Sequence, residues 1–140
     1  MAKVVKQIRN DIYEQEEMDD NSFSDTTSIP LSLQTIISML LYGTNITQIA
    51  SNALSPSVQT ISQLILFNSL KRSRTNRNGN RRHSNRREPP IPVYMALKVH
   101  ALTRKKELID MMFNLGVSVS YTRAQDIITA LAKKVCEQYN

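Results

Sequence analysis

The constraint that shapes this chain most is the run Lys71–Arg87, KRSRTNRNGNRRHSNRR, in which eight of seventeen residues are Lys or Arg and none is acidic. It contains no aliphatic side chain and no Phe, Tyr or Trp, so it has nothing to bury and its like charges repel along its length. Gly79, flanked by Asn76, Asn78 and Asn80, breaks any helical pattern at its centre. The run therefore reads as a linker that is disordered when unbound. It also carries the charge balance of the whole chain. Of eighteen Lys and Arg residues, ten lie outside it, against twelve acids, so the formal net charge of +6 becomes −2 without it. A second bias mirrors the first: Asp11–Asp25 holds seven acids and no Lys or Arg.

The remainder is rich in Leu, Ile, Val, Met and Ala, enough for a small helical core within 140 residues. No stretch reaches the ~18 consecutive apolar residues that a membrane-spanning helix requires. The N-terminus alternates charged with apolar residues and has no secretory hydrophobic segment. A single cysteine, Cys136, excludes an internal disulfide and fits a reducing nuclear or cytoplasmic setting.

Helical spacing recurs along the chain. Val4/Val5, Ile8 and Ile12 define a first face, and acids at its C-terminal end oppose the helix dipole, so this helix is expected to be short or frayed. Pro30 opens a helix with Leu33, Ile36/Ile37 and Leu40/Leu41 inward, which Gly43 ends. Ile46, Ile49, Ala50 and Ala53 suggest a short second helix. Ser55-Pro56 is a strong start signal for a helix burying Val58, Ile61, Leu64/Ile65 and Phe67. Glu88–Pro92 reads as a stiff extended spacer. Beyond it Val93, Leu97 and Ala101 share a face, followed by Leu108, Ile109, Met112 and Leu115 up to a stop at Gly116. Thr122-Arg123-Ala124-Gln125 fits a capping box for a last helix burying Ala124, Ile127/Ile128, Leu131 and Val135. The expected fold is all-α: five to six helices in two small clusters on either side of the basic linker. The expected divisions are an N-terminal helix with an acidic linker (1–28), a helical cluster (29–70), a basic then Pro-rich linker (71–92) and a second helical segment (93–140). The last helix runs to Asn140 without a stop, as in a fragment of a longer protein.

The candidate binding residues are the cations of the run: Lys71, Arg72, Arg74, Arg77, Arg81, Arg82, Arg86 and Arg87. Guanidinium forks match phosphate, and neutralising phosphates releases counterions, giving salt-sensitive affinity for DNA or RNA backbone. Without interleaved aromatics, base stacking is not supported. The same clusters also fit a nuclear import signal or a plain solvated linker. The acidic segment can mask the run, bind a basic partner or merely solubilise. Residues Leu108–Leu131 resemble a helix-turn-helix reader in outline, but Thr122 stands where an apolar residue should lock the second helix, so an ordinary helical hairpin is the simpler reading.

His83, His100 and Cys136 are scattered, with no metal-ligand spacing, and no cofactor or small-molecule ligand is expected. Gly43, Gly79 and Gly116 stand alone, so no phosphate-cradling loop exists. Glu107, Asp110 and Asp126 fall at solvated helical positions, and Cys136 has no histidine base nearby in sequence. No enzyme is expected.

Pro90 and Pro92, Tyr94, Leu97, His100, Thr103-Arg104, Leu115-Gly116, Ser118, Ser120-Tyr121 and Arg123 carry a resemblance over Pro89–Arg123. This segment resembles uncharacterised proteins present in many copies in invertebrate genomes, which look like products of mobile elements or of genes derived from them. The resemblance implies a non-catalytic helical module from the N-terminal part of a longer mobile-element-like protein, and it carries no defined activity or catalytic residue. An interaction or oligomerisation module, docking missing chain or another subunit, is the alternative reading of the same helices.

Overall fold

The computed structural model describes residues 2–17, 29–44, 49–69 and 88–139. Among these residues the structure is helical, without strands, in seven helices: α1 (Ala2–Glu17), α2 (Leu31–Tyr42), α3 (Ile49–Ala53), α4 (Pro56–Asn68), α5 (Pro90–Thr103), α6 (Lys106–Asn114) and α7 (Tyr121–Gln138). The all-α expectation agrees with this, whereas the expected count of five to six falls short. A single helix was expected to pass through Arg104, and it breaks there. The chain divides into two compact units, Met1–Pro90 and Ile91–Asn140.

In the first unit, Ile8 and Ile12 of α1 pack with Leu33 and Ile37 of α2 and with Val58 and Leu66 of α4, each at most 9% exposed. Burying an aliphatic side chain of this size is worth ~1.5–3 kcal/mol. That exceeds the ~0.3–1 kcal/mol by which each acid near a helix C-terminus opposes its dipole. Here lies the reason that α1, expected to be short, continues to Glu17. Polar contacts add to it: Ser32 Oγ donates to Asp11 Oδ2 at 2.6 Å, linking α2 to α1. The Arg9 guanidinium stands 5.4 Å over the Tyr13 ring and donates to its hydroxyl.

Local signals behave as their chemistry dictates. Pro30 precedes α2, and its carbonyl accepts from the N–H groups of Leu33 and Gln34, both at 3.1 Å. Gly43 ends α2 at φ 86°, a conformation that disfavours a side chain. Ser55 Oγ accepts from Val58 N at the start of α4, with Pro56 in the first helical position. The Gln59 amide donates to Ala53 O at 2.9 Å and to Gln34 Oε1 at 3.3 Å, so one side chain joins α3 and α2 to α4.

The buried faces differ from those expected. On α2 the inward line is Leu33, Ile37 and Ser38, while Leu40 is 79% exposed. On α4 it is Val58, Ser62, Leu66 and Phe67, with Ile65 outside. Both helices are apolar on nearly every side, so spacing alone cannot select the face that packs. Ser38 and Ser62 are polar, so apolar spacing gives no sign of their burial. Their hydroxyls are buried without a hydrogen-bond partner.

The second unit begins inside an element expected to be extended. α5 starts at Pro90 and not at Val93, because Pro90 and Pro92 occupy the first turn, where backbone N–H groups have no helical acceptor anyway. Pro92 and Ala96 are buried, whereas Val93 and Leu97 are half-buried and Ala101 is exposed, a shift of one residue. Arg104, at φ 52°, is the one non-glycine residue with positive φ among the described residues. It ends α5, and Thr103 Oγ1 accepts from Lys105 N at 3.3 Å across the break.

Gly116 closes α6 as expected, at φ 76°. Its N–H donates to Phe113 O and that of Val117 to Met112 O, the paired bonds of a Schellman motif. The connector that follows is buried at Ser118 and Val119, and Val119 N donates to Pro92 O at 3.3 Å, tying it to the first turn of α5. The cap of α7 is Ser120, whose Oγ accepts from Arg123 N at 3.3 Å, and not Thr122, which is exposed. With Arg123 in the third helical position no capping box forms. Gln125, assigned to that box, instead reaches His100. Ala124 and Ile127 bury α7, while Leu131 and Val135 are about half exposed, so the expected inward stripe stops at the helix midpoint.

Two substitutions test these assignments. Leu66→Ala should cost ~2–5 kcal/mol and lower the urea midpoint of the first unit, read by far-UV circular dichroism. Ser120→Ala should cost ~1 kcal/mol, while Thr122→Ala should stay within ~0.5 kcal/mol of the parent, a contrast that equal losses would contradict.

Candidate nucleic-acid interface

The expected binding residues Lys71, Arg72, Arg74, Arg77, Arg81, Arg82, Arg86 and Arg87 lie outside the described residues. Asp19, Asp20 and Asp25, the acids of the N-terminal bias beyond Glu17, do too, but Asp11 is placed on α1, engaged by Ser32 and by Gln7 Nε2 at 2.9 Å. An acid held in this way is part of the α1–α2 contact.

The first unit presents an open, mainly apolar cleft of about 430 Å³ between α1, α2 and α4. Ile8, Ile12, Leu33 and Ile36 form its floor, and Arg9, Asn68 and Ser69 supply polar groups. These residues can accommodate an apolar group. They do not form a cationic surface for phosphate.

In the second unit the α6–α7 pair can be compared with a helix-turn-helix reader. Such a reader offers the first turns of its second helix to the major groove. Here Gln125 Nε2 lies 2.7 Å from His100 Nε2, and the Tyr121 ring packs against His100 with centroids 5.8 Å apart. Two candidate reading positions of α7 are thus engaged with α5. Thr122 and Asp126 remain exposed, and a carboxylate there would oppose a phosphate backbone. Ala124 and Ile127, rather than position 122, lock α7 in place. The hairpin supports its own unit and is poorly suited to read bases.

The cations of the second unit are concentrated elsewhere. Arg104, Lys105 and Lys106 are all exposed at the corner between α5 and α6, with Lys98 exposed on α5. This cluster is outweighed in the sequence by the denser run Lys71–Arg87. Its signal was three consecutive cations between two apolar helical patterns. Several positions that carry the sequence resemblance have structural roles in the same unit: Arg104 and Gly116 at the two left-handed turns, Ser120 at the cap, and His100 with Tyr121 in the ring contact.

No three His, Cys, Asp or Glu residues converge in a metal-binding group among the described residues, and Cys136 is exposed on α7. No helix among them is long and apolar enough to cross a membrane. No protein-family model, curated protein or solved structure matches the chain, so its reading rests on the chemistry of its own residues.

Proposed function

We propose that the chain is a non-catalytic helical module of a mobile-element-like protein that binds nucleic acid weakly, without sequence preference, through Lys71–Arg87. In this reading the helices form two small clusters, and the run links them, its composition giving it no core to fold around. The observation that carries the reading is the partition of charge. Eight of eighteen Lys and Arg residues fall in seventeen positions without an acid, while the rest of the chain is net negative. A polyanion would be drawn to the run and repelled on average by the remainder. Absence of Phe, Tyr and Trp from the run favours phosphate contact over base stacking.

A second reading has a separate observation behind it. Leu131 and Val135 are about half exposed on α7, one helical turn apart, and Leu102, Met111 and Leu115 are exposed elsewhere in the same unit. Helix faces of this kind suit docking to another subunit or to further chain, with the run acting as linker or nuclear import signal. That arrangement predicts association of the purified chain independent of nucleic acid.

Titration of a random-sequence duplex at several salt concentrations tests the first reading. The chain should bind with a dissociation constant on the order of 10⁻⁴–10⁻⁶ M at physiological salt, and log affinity should fall with log salt at ~0.9 per phosphate neutralised. Deleting Lys71–Arg87 should weaken binding and flatten that slope. An unchanged slope would exclude the run as the contact.

A further inference from the structure

We infer that the exposed corner between α5 and α6 is a second contact surface for the phosphate backbone of a nucleic-acid duplex. The inference deepens the nucleic-acid reading and rests on it for the class of partner, but it depends on different residues. Lys98, Arg104, Lys105 and Lys106 place four cations in nine residues without an acid, and all four are exposed. Residues 101–107 are exposed without interruption, with one acid, Glu107, following the three adjacent cations. Residues 91–140 contain seven Lys or Arg and four acids, so the corner holds three of the seven cations in its unit, with a fourth, Lys98, on α5. By contrast Lys133, on α7, has an acidic neighbour in Glu137 at 4.0 Å. No ion pair among the described residues engages the corner cations.

Solubility alone explains the placement poorly. Lys105 is the N-cap residue of α6 and Lys106 its first helical residue, and no side chain caps that end. The helix dipole opposes cations at that end, an effect that Glu107 in the same turn offsets only in part. Cations that served only to keep the chain dissolved would be better tolerated at almost any other exposed position. The corner is also held from within its own unit. His100, four residues before Arg104, packs on Tyr121 and lies 2.7 Å from Gln125, and Arg104 N donates to His100 O at 2.9 Å. The backbone bearing the cations is thereby positioned before any partner arrives, which lowers the ordering cost of binding.

The pattern favours a duplex backbone over bases, since three adjacent cations follow one another with no aromatic ring among them. An arginine fork and two ammonium groups suit successive phosphates. Leu102, 73% exposed beside the cations, makes an anionic membrane surface the competing partner.

The test uses the full chain carrying Arg104→Gln, Lys105→Gln and Lys106→Gln together, with random-sequence DNA duplex as probe. These residues are exposed, and removing cations from a helix N-terminus should leave helicity by circular dichroism intact. Affinity at low salt should fall about tenfold or more, and the salt slope should decrease by about 2–3. The Lys105→Arg/Lys106→Arg chain should keep the parent slope. A triple variant with parent affinity and slope overturns the inference, whatever the deletion of Lys71–Arg87 does. Conversely, if that deletion changes nothing while the triple variant loses affinity, the corner stands and the run does not. Phosphatidylserine vesicles supply the remaining arm. Vesicle binding that is lost on Leu102→Ala, with duplex binding unaffected by the triple substitution, assigns the corner to a lipid surface and overturns it as a nucleic-acid contact.

Discussion

Burial of six aliphatic side chains, Ile8, Ile12, Leu33, Ile37, Val58 and Leu66, is the interaction on which the first unit depends. None of its helices is secured by its own sequence. α1 carries acids at the end where the dipole disfavours them, α3 has five residues, and α2 and α4 each have about three turns. Isolated helices of such lengths are marginal in water, and packing supplies what propensity does not. The polar contacts refine the arrangement: Ser32 with Asp11 fixes α2 against α1, and Gln59 bridges three helices.

The second unit relies more on its turns. Two left-handed residues, Arg104 and Gly116, separate α5, α6 and α7, and the buried Ser118-Val119 pair returns the chain to the first turn of α5. Gly116 was legible because glycine alone enters that conformation freely. Arg104 was not, since nothing about an arginine announces a left-handed turn, and the break between α5 and α6 was missed with it. Ser55-Pro56 and Gly43 were equally legible, because their roles depend only on local hydrogen bonding. Thr122 was misleading: it began a pattern with Gln125 that looked like a box, while Ser120, two residues earlier, had the geometry to cap.

Helix faces were less legible than helix ends. An apolar helix with no clear polar side can pack in several rotations, and neighbours choose among them. Hence α2 turns Leu40 outward and Ser38 inward, and α4 turns Ile65 outward and Ser62 inward. The candidate site divides in the same way. Charge density pointed directly to Lys71–Arg87, because it is a property of composition, whereas the α5–α6 corner gains meaning only once its position at a helix start is known. The outlined helix-turn-helix loses its appeal for a related reason: Gln125 and Tyr121 are already engaged with His100.

The open cleft beneath α1 has a consequence for how the first unit fluctuates. α1 is held chiefly by Ile8 and Ile12, with Val4 and Val5 more than half exposed, so its inner face is only partly covered. It contributes two side chains to the core, whereas α2 and α4 also pack on each other without it, and opening free energies follow such differences. Amide hydrogens of α1 would then exchange with solvent through a partial opening in which α2 and α4 stay together, ahead of the exchange that needs the core itself to come apart. The cleft is thus also a seam. Along it, the unit would separate into a detachable N-terminal helix and a more persistent pair.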